Sequence, residues 1–209
     1  MNVPNLIARV LVTFLTCYFL GNHNGAICVS HMLGDDVREH GSGNAGLTNF
    51  IRNYGASRSV LVILIDVLKA VFACWLGAEM FASYGHPLEG KVLAGVAVMV
   101  GHDFPALLGF RGGKGILSGW FIAWMIDWRV GALIGIVFFA VYFATQLVSL
   151  CSVLAAITFG IGFAFFSLNQ TGNICPVLED GETAHEDAAD YNKGIAPVKH
   201  GKANTKGNG

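Results

Sequence analysis

Charge is what this 209-residue sequence has least of: Asp, Glu, Lys and Arg together make up 13% of it, against 54% hydrophobic residues. A soluble globular domain carries about twice that charged share, so a water-facing surface over most of the chain is excluded. Basic residues do not outnumber acidic ones, 13 against 14, which excludes the basic face that nucleic acid requires. Cysteines are sparse and scattered at Cys17, Cys28, Cys74, Cys151 and Cys175, with no CxxC pair. Neither structural zinc nor a disulfide framework is expected from that spacing. The seven His show no HExxH pattern, so no metal is expected. Glycine is plentiful at 27 residues, as suits helices packed closely in lipid.

What the chain does have is a succession of apolar segments, at residues 6–20, 60–84, 92–108, 116–126, 130–144 and 147–168. Several approach the roughly 20 residues that cross hydrocarbon. The segment 116–126 is too short to span upright and is expected to be re-entrant or interfacial. The first segment holds Arg9 and no small-residue cleavage site, so it reads as a retained helix, not a signal peptide. From residue 169 onward the composition is polar, with an acidic stretch at 179–190, and disorder is expected there. The fold class is therefore all-α: a polytopic membrane bundle of about six helices over residues 1–168, with a polar tail over 169–209. Arg38, Arg52 and Arg58 lie in the 35–58 connection and Arg111 and Lys114 in the 109–115 connection, while 85–91 between them holds only Lys91. The Arg/Lys bias assigns the first two to the cytoplasmic side.

Two polar connections carry chemistry. The run His40-Gly41-Ser42-Gly43-Asn44-Ala45-Gly46-Leu47-Thr48-Asn49, followed by Arg52, is rich in glycines that let backbone N–H groups converge on an anion. Ser42, Asn44, Thr48 and Asn49 add neutral donors and Arg52 a planar cation suited to phosphate; an ordinary Gly/Asn-rich turn is the competing reading. The second run is Gly101-His102-Asp103-Phe104-Pro105, then Gly109-Phe110-Arg111-Gly112-Gly113-Lys114-Gly115. It is not a nucleotide P-loop, because Leu108 stands where glycine is required and Gly115 where Ser or Thr is. Lys114 flanked by glycines still places a cation beside free amides. Asp66 and Lys69 sit three apart inside an apolar segment, where charge is costly unless paired. A self-neutralising pair is the favoured reading and a brace for the loops the alternative.

At these residues the sequence resembles the PlsY-type acyl-phosphate:glycerol-3-phosphate acyltransferases. That family's GSGN-x-G-x-TN-x-x-R motif is matched by residues 41–52, its LD-x-x-K motif by residues 65–69 with Ile65 for Leu, and its GH-x-FP and GGKG elements by residues 101–115. A later element is matched by Gln146-Leu147-Val148-Ser149-Leu150-Cys151-Ser152, with Gln146 in place of a basic residue. The resemblance implies a bacterial inner-membrane, multi-pass enzyme of about seven helices with cytoplasmic active-site loops. It implies acyl transfer from acyl-phosphate to glycerol-3-phosphate, forming lysophosphatidic acid, with no cofactor and no obligate protein partner. Ser42, Arg52 and Lys114 would grip phosphate, with His102 in the catalytic set. Gly41, Gly43, Asn44, Thr48, Asn49, Gly112, Gly113 and Ser149 would shape the substrate site. One departure stands out: the family ends in a further apolar helix and an RH-x-x-N-type motif, of which residues 199–209, with His200 and Asn204, are only a faint echo. A weak or inactive paralogue binding phosphorylated lipid precursors is the alternative. An anion transporter would be expected to show an internal repeat, and none is visible.

Overall fold

A computed structural model describes residues 3–174, with side chains from 5 to 166. Every α-helix or turn of helix among them belongs to one sequence: α1 (Val3–Gly21), α2 (Gly25–Met32), α3 (Leu47–Tyr54), α4 (Ala56–Ala82), α5 (Pro87–Asp103), α6 (Ile116–Ile126), α7 (Trp128–Thr145) and α8 (Val148–Ile174), with 3-10 turns at Val37–Glu39 and Ala106–Leu108. The six apolar segments become α1, α4, α5, α6, α7 and α8. No strand occurs among the described residues.

Four stretches are long and apolar enough to cross a bilayer: Ala56–Ala82, Pro87–Leu108, Trp128–Thr145 and Val148–Phe166. The α1–α2 pair, bent by 43°, makes a fifth if it is one broken span. α6 is too short to span, as its 11 residues dictate. The 35–58 connection, expected as a loop, carries the helix α3. α8 continues to Ile174, past the expected end of the membrane segment at Leu168. The acidic stretch 179–190, His200 and Asn204 lie outside the described residues. The chain divides into two compact units after Ala164, and the second is described only through the last turns of α8.

Small residues let the spans meet backbone to backbone, the packing mode that lipid favours. A Cβ added at Gly77 would overlap the Gly90 carbonyl, and one at Gly90 would overlap the Gly77 carbonyl, so α4 and α5 touch at their main chains. Gly101 meets the Tyr18 carbonyl in the same way, locking α5 to α1. Between these contacts Cys17, Ala70, Ala73, Ala94, Ala97 and Val98 form a buried core. A second cluster, including Ile27, Val37, Phe50 and Val62, lies between α2, α3 and α4.

Arg9, at the far end of this bundle, has local partners. Arg9 donates to the Met80 carbonyl (2.6 Å) and to Ser83 Oγ (3.1 Å) and stacks on Tyr84, a cation closing the negative end of α4. Antiparallel passage of α4 and α5 brings residues 33–55 and 104–115 to the opposite end. α7 runs back antiparallel along α6, with Gly131 against Trp124 and Gly135 against Trp120, and so returns the chain to the loop end at Gln146.

Candidate active site

The first glycine run folds around Asn49. This side chain is 3% exposed; its Oδ1 accepts from Ser42 N (3.0 Å), and its Nδ2 donates to the carbonyls of Val37 and His40 (3.0 Å each). Its amide is thus engaged inside the loop and shapes it from within. Gly41 and Gly43 take φ of 57° and 69°, a region that only glycine enters without strain. The chain then enters α3 at Gly46, which offers no side-chain cap, so the first amides of α3 have no partner from within the helix. Ser42 is exposed, Thr48 lies half-buried on that first turn, and Asn44 Nδ2 lies over Gly46. Arg52, exposed on α3, has no ion-pair partner among the described residues.

In the second run, Gly112 N donates to the Asp103 carbonyl and Gly113 N to the His102 carbonyl, both at 3.2 Å. These two glycine amides are therefore engaged with the end of α5. The open amides are those that follow, at the start of α6, where Gly115 in the left-handed conformation (φ 60°) is the cap. Lys114 precedes it, exposed and likewise without an ion-pair partner among the described residues.

The two runs meet at Gly113. A Cβ there would overlap His102 Nε2 and fall 2.7 Å from the Ala45 carbonyl oxygen, so only glycine permits the contact. Arg38 ties the runs together a second time. Its Nη1 donates to the carbonyls of Leu108 (2.7 Å) and Arg111 (3.2 Å), while Nε and Nη2 hold the Asp36 carboxylate at 2.7–3.0 Å. The Arg38 guanidinium keeps the Asp36 carboxyl well below the usual carboxylate range. Beside it, Asp35 bonds His40 Nε2 (2.9 Å) and accepts from the Tyr54 hydroxyl (2.8 Å). That bond with Asp35 raises the His40 pKa, while desolvation and then Asp35 push Tyr54 up to about 12.

Beneath the junction lies a buried polar cluster. Lys69 Nζ contacts Asp66 Oδ1 (2.8 Å), the His23 carbonyl (3.0 Å) and His102 Nδ1 (2.6 Å), and Asp66 Oδ1 also accepts from Gly25 N (3.0 Å). The pair is at once self-neutralising and a brace, because it fastens α4 to the start of α2 and to His102. Asn24, fully buried, caps α2 through Ile27 N and donates to the Ala45 carbonyl. Arg38 and Asn24 were not among the expected site residues. The charge count flagged Arg38 only as one of several loop cations, and nothing marked Asn24. Ser149 is exposed at the start of α8, at the loop end of the bundle, but among the described residues no hydrogen bond joins it to either glycine run. No three His, Cys, Asp or Glu side chains among the described residues group as metal ligands.

Two helix starts without side-chain caps lie at one end of the bundle with cations that have no ion pair among the described residues, Arg52 and Lys114 among them, an arrangement suited to phosphate oxygens. The sequence profile of the family described as "Glycerol-3-phosphate acyltransferase" matches residues 11–179. Three relatives bearing that name are similar. The protein of Alkaliphilus metalliredigens is 39% identical over 52% of this chain and 53% of its own length. That of Finegoldia magna is 33% identical over 71% and 73%, and that of a Thermoanaerobacter species 34% over 75% and 77%. The match thus spans about half of the first relative and about three quarters of the other two. Two crystal structures of PlsY, an integral membrane glycerol 3-phosphate acyltransferase, superpose with TM-scores of 0.67 and 0.64. One is its glycerol 3-phosphate form and the other its lysophosphatidic acid form; each is 26% identical over 75% of this chain and 76% of that one.

Proposed function

This chain belongs to the glycerol-3-phosphate acyltransferase family, and from that premise we propose that it transfers a fatty acyl group from acyl-phosphate to glycerol-3-phosphate, forming lysophosphatidic acid at the cytoplasmic face of a bacterial inner membrane. The observation that carries the reading is the Gly113–Ala45 junction, which joins two glycine runs bearing cations, Arg52 and Lys114 among them, that have no ion-pair partner among the described residues. Arg52 offers a fork of N–H donors to phosphate, and Lys114 a compact charge. The first amides of α3 and α6 add backbone donors at positive helix ends.

Acyl-phosphate is already activated, since phosphate is a good leaving group. A hydroxyl oxygen of glycerol-3-phosphate attacks the acyl carbon; the new C–O bond forms as the bond to the phosphate oxygen breaks, and the hydroxyl proton leaves with phosphate. No enzyme nucleophile is required, so the protein's work is positioning and charge stabilisation. Ser42, Asn44 and Thr48 line the first run and Ser149 stands at the same end of the bundle, so these four are assigned to substrate contact.

Purified protein given acyl-phosphate and glycerol-3-phosphate tests the proposal. Lysophosphatidic acid and inorganic phosphate should appear in equal amounts, without ATP or thioester and in the presence of chelator. Turnover with acyl-CoA alone would move the chain to another donor class. Binding of glycerol-3-phosphate with no product would leave a lipid-precursor binding protein.

A further inference from the structure

The ammonium of Lys69 has three hydrogens and three neighbours: Asp66 Oδ1, the His23 carbonyl and His102 Nδ1. An ammonium carries no lone pair, so the contact with the ring exists only if Nδ1 supplies one. The imidazole proton then sits on Nε2. There the ring meets Asn24 Nδ2 at 3.3 Å. The Asn24 amide cannot turn to receive that proton, because its Oδ1 accepts from Ile27 N (3.1 Å) and its Nδ2 donates to Ala45 O (3.0 Å). Nδ2 and Nε2–H therefore face one another as two donors. The ring is 3% exposed, and its Nε2 lies against Gly113. A buried N–H donor without an acceptor is rare and costly in a folded protein, and this one sits at the junction of the two glycine runs.

We propose that Asp66 and Lys69 are positioning residues that hold His102 as its Nε2–H tautomer, and that this N–H donates a hydrogen bond to an anionic substrate oxygen at the junction. A neutral imidazole protonated on Nε2 cannot take a proton there, so His102 is a donor and not a base. The charged groups around the ring are Lys69 and Asp66, both on α4, with Asp66 Oδ1 3.6 Å from Nδ1. Burial favours the neutral ring, and the opposite charges of Lys69 and Asp66 largely offset one another around it. The competing arrangement is a neutral Lys69 amine accepting from Nδ1–H, with Nε2 accepting from Asn24. The tautomer stands independently of the reaction, whereas the donor role rests on the acyl transfer proposed above.

Spectroscopy on the full chain, labelled with nitrogen-15 histidine and held in bilayers, tests the tautomer directly, with His102→Gln assigning the signal. Protonated Nε2 and unprotonated Nδ1 are expected; the reverse overturns the proposal. Lys69→Met, and Asp66→Asn with Lys69→Met to remove both charges together, should release a mixture of tautomers. In folded variants kcat should then fall on the order of a hundred-fold, with KM for glycerol-3-phosphate little changed. An unmoved ring signal, or an unmoved kcat, overturns the positioning role. Because Gln keeps a neutral N–H donor, His102→Gln should retain more turnover than His102→Ala, and equal loss in both would restore the base. If the wild-type protein makes no lysophosphatidic acid, the proposed function fails while the ring signal still decides the tautomer.

Discussion

Arg52 and Lys114, like Arg111, are cations for which the glycine runs provide no carboxylate among the described residues, and the first two differ in what a substitution removes. Each is expected to donate charge-assisted hydrogen bonds to phosphate, about 1.5–3 kcal/mol apiece, so Arg52→Ala and Lys114→Ala should each lower kcat/KM roughly ten- to hundred-fold. Arg52→Lys keeps the charge but loses the planar fork and should remain clearly impaired. Lys114→Arg should be milder than Lys114→Ala, since a cation stays in the glycine-lined slot. Wild-type rates for both alanine variants in the acyl-phosphate assay would remove the phosphate assignment. The neighbouring carboxylates give a second residue-scale expectation. Asp35 raises the His40 pKa, so His40 contributes stability fully below its unfolded value, about 6.5, and loses it as pH rises through the folded value. Asp36, depressed by Arg38, acts oppositely: its contribution is present above about 3.9 and fades as pH falls through the lower folded value. Thermal midpoints measured from pH 6 upward, on the order of a unit apart, should decline across the His40 titration, and His40→Gln should lack that decline.

At the scale of elements, the spans were legible because a bilayer demands long apolar runs, and every such run in the sequence became a helix. α2 and α3 were not legible. Each has eight residues, too few for periodicity to declare itself, and α2 owes its start to a cap from Asn24. The site was half legible for the same reason. The glycine runs with Arg52 and Lys114 are contiguous in sequence, whereas Arg38 acts on Leu108 from 70 residues away and Asn24 meets His102 across 78. Asn49, expected to face substrate, is instead engaged with the loop backbone, a role set by where Val37 and His40 place their carbonyls. Packing between α4 and α5 yields a direct test. In Gly90→Ala the new methyl would overlap the Gly77 carbonyl and lie 2.9 Å from Phe81 Cβ, and such overpacking costs about 1–3 kcal/mol. Gly160→Ala, with nothing within 4 Å of the new methyl, should hold or raise the thermal midpoint, since alanine suits a helix interior better than glycine. Equal midpoints for the two variants would mean that the helices do not meet at their main chains.

For the molecule as a whole, the question is which side of the membrane the site faces. α4 and α5 run antiparallel around the 83–86 connection, so the 35–58 and 104–115 segments share one end, and Arg38 bonds one to the other. That end holds Arg38, Arg52, Arg58, Arg111 and Lys114, and the proposed cytoplasmic orientation rests on this bias toward Lys and Arg. Arg9, Lys91 and Arg129 lie toward the far end and weigh against this count, three against five. Each has a local partner there: Arg9 bonds the Met80 carbonyl and stacks on Tyr84, Lys91 donates to the Met125 carbonyl, and Arg129 pairs with Asp127. In a cysteine-free background, single cysteines replacing Ser42 or Arg111 should resist a membrane-impermeant thiol reagent in intact cells and react once the membrane is opened. Ser83→Cys should react from outside. Residues 42 and 111 both labelled from outside would reverse the orientation yet leave the joint site standing, since both loops would still face one compartment. Only one of the two labelled from outside would separate the loops, and with them Lys114 from Arg52, so that no single phosphate could meet both.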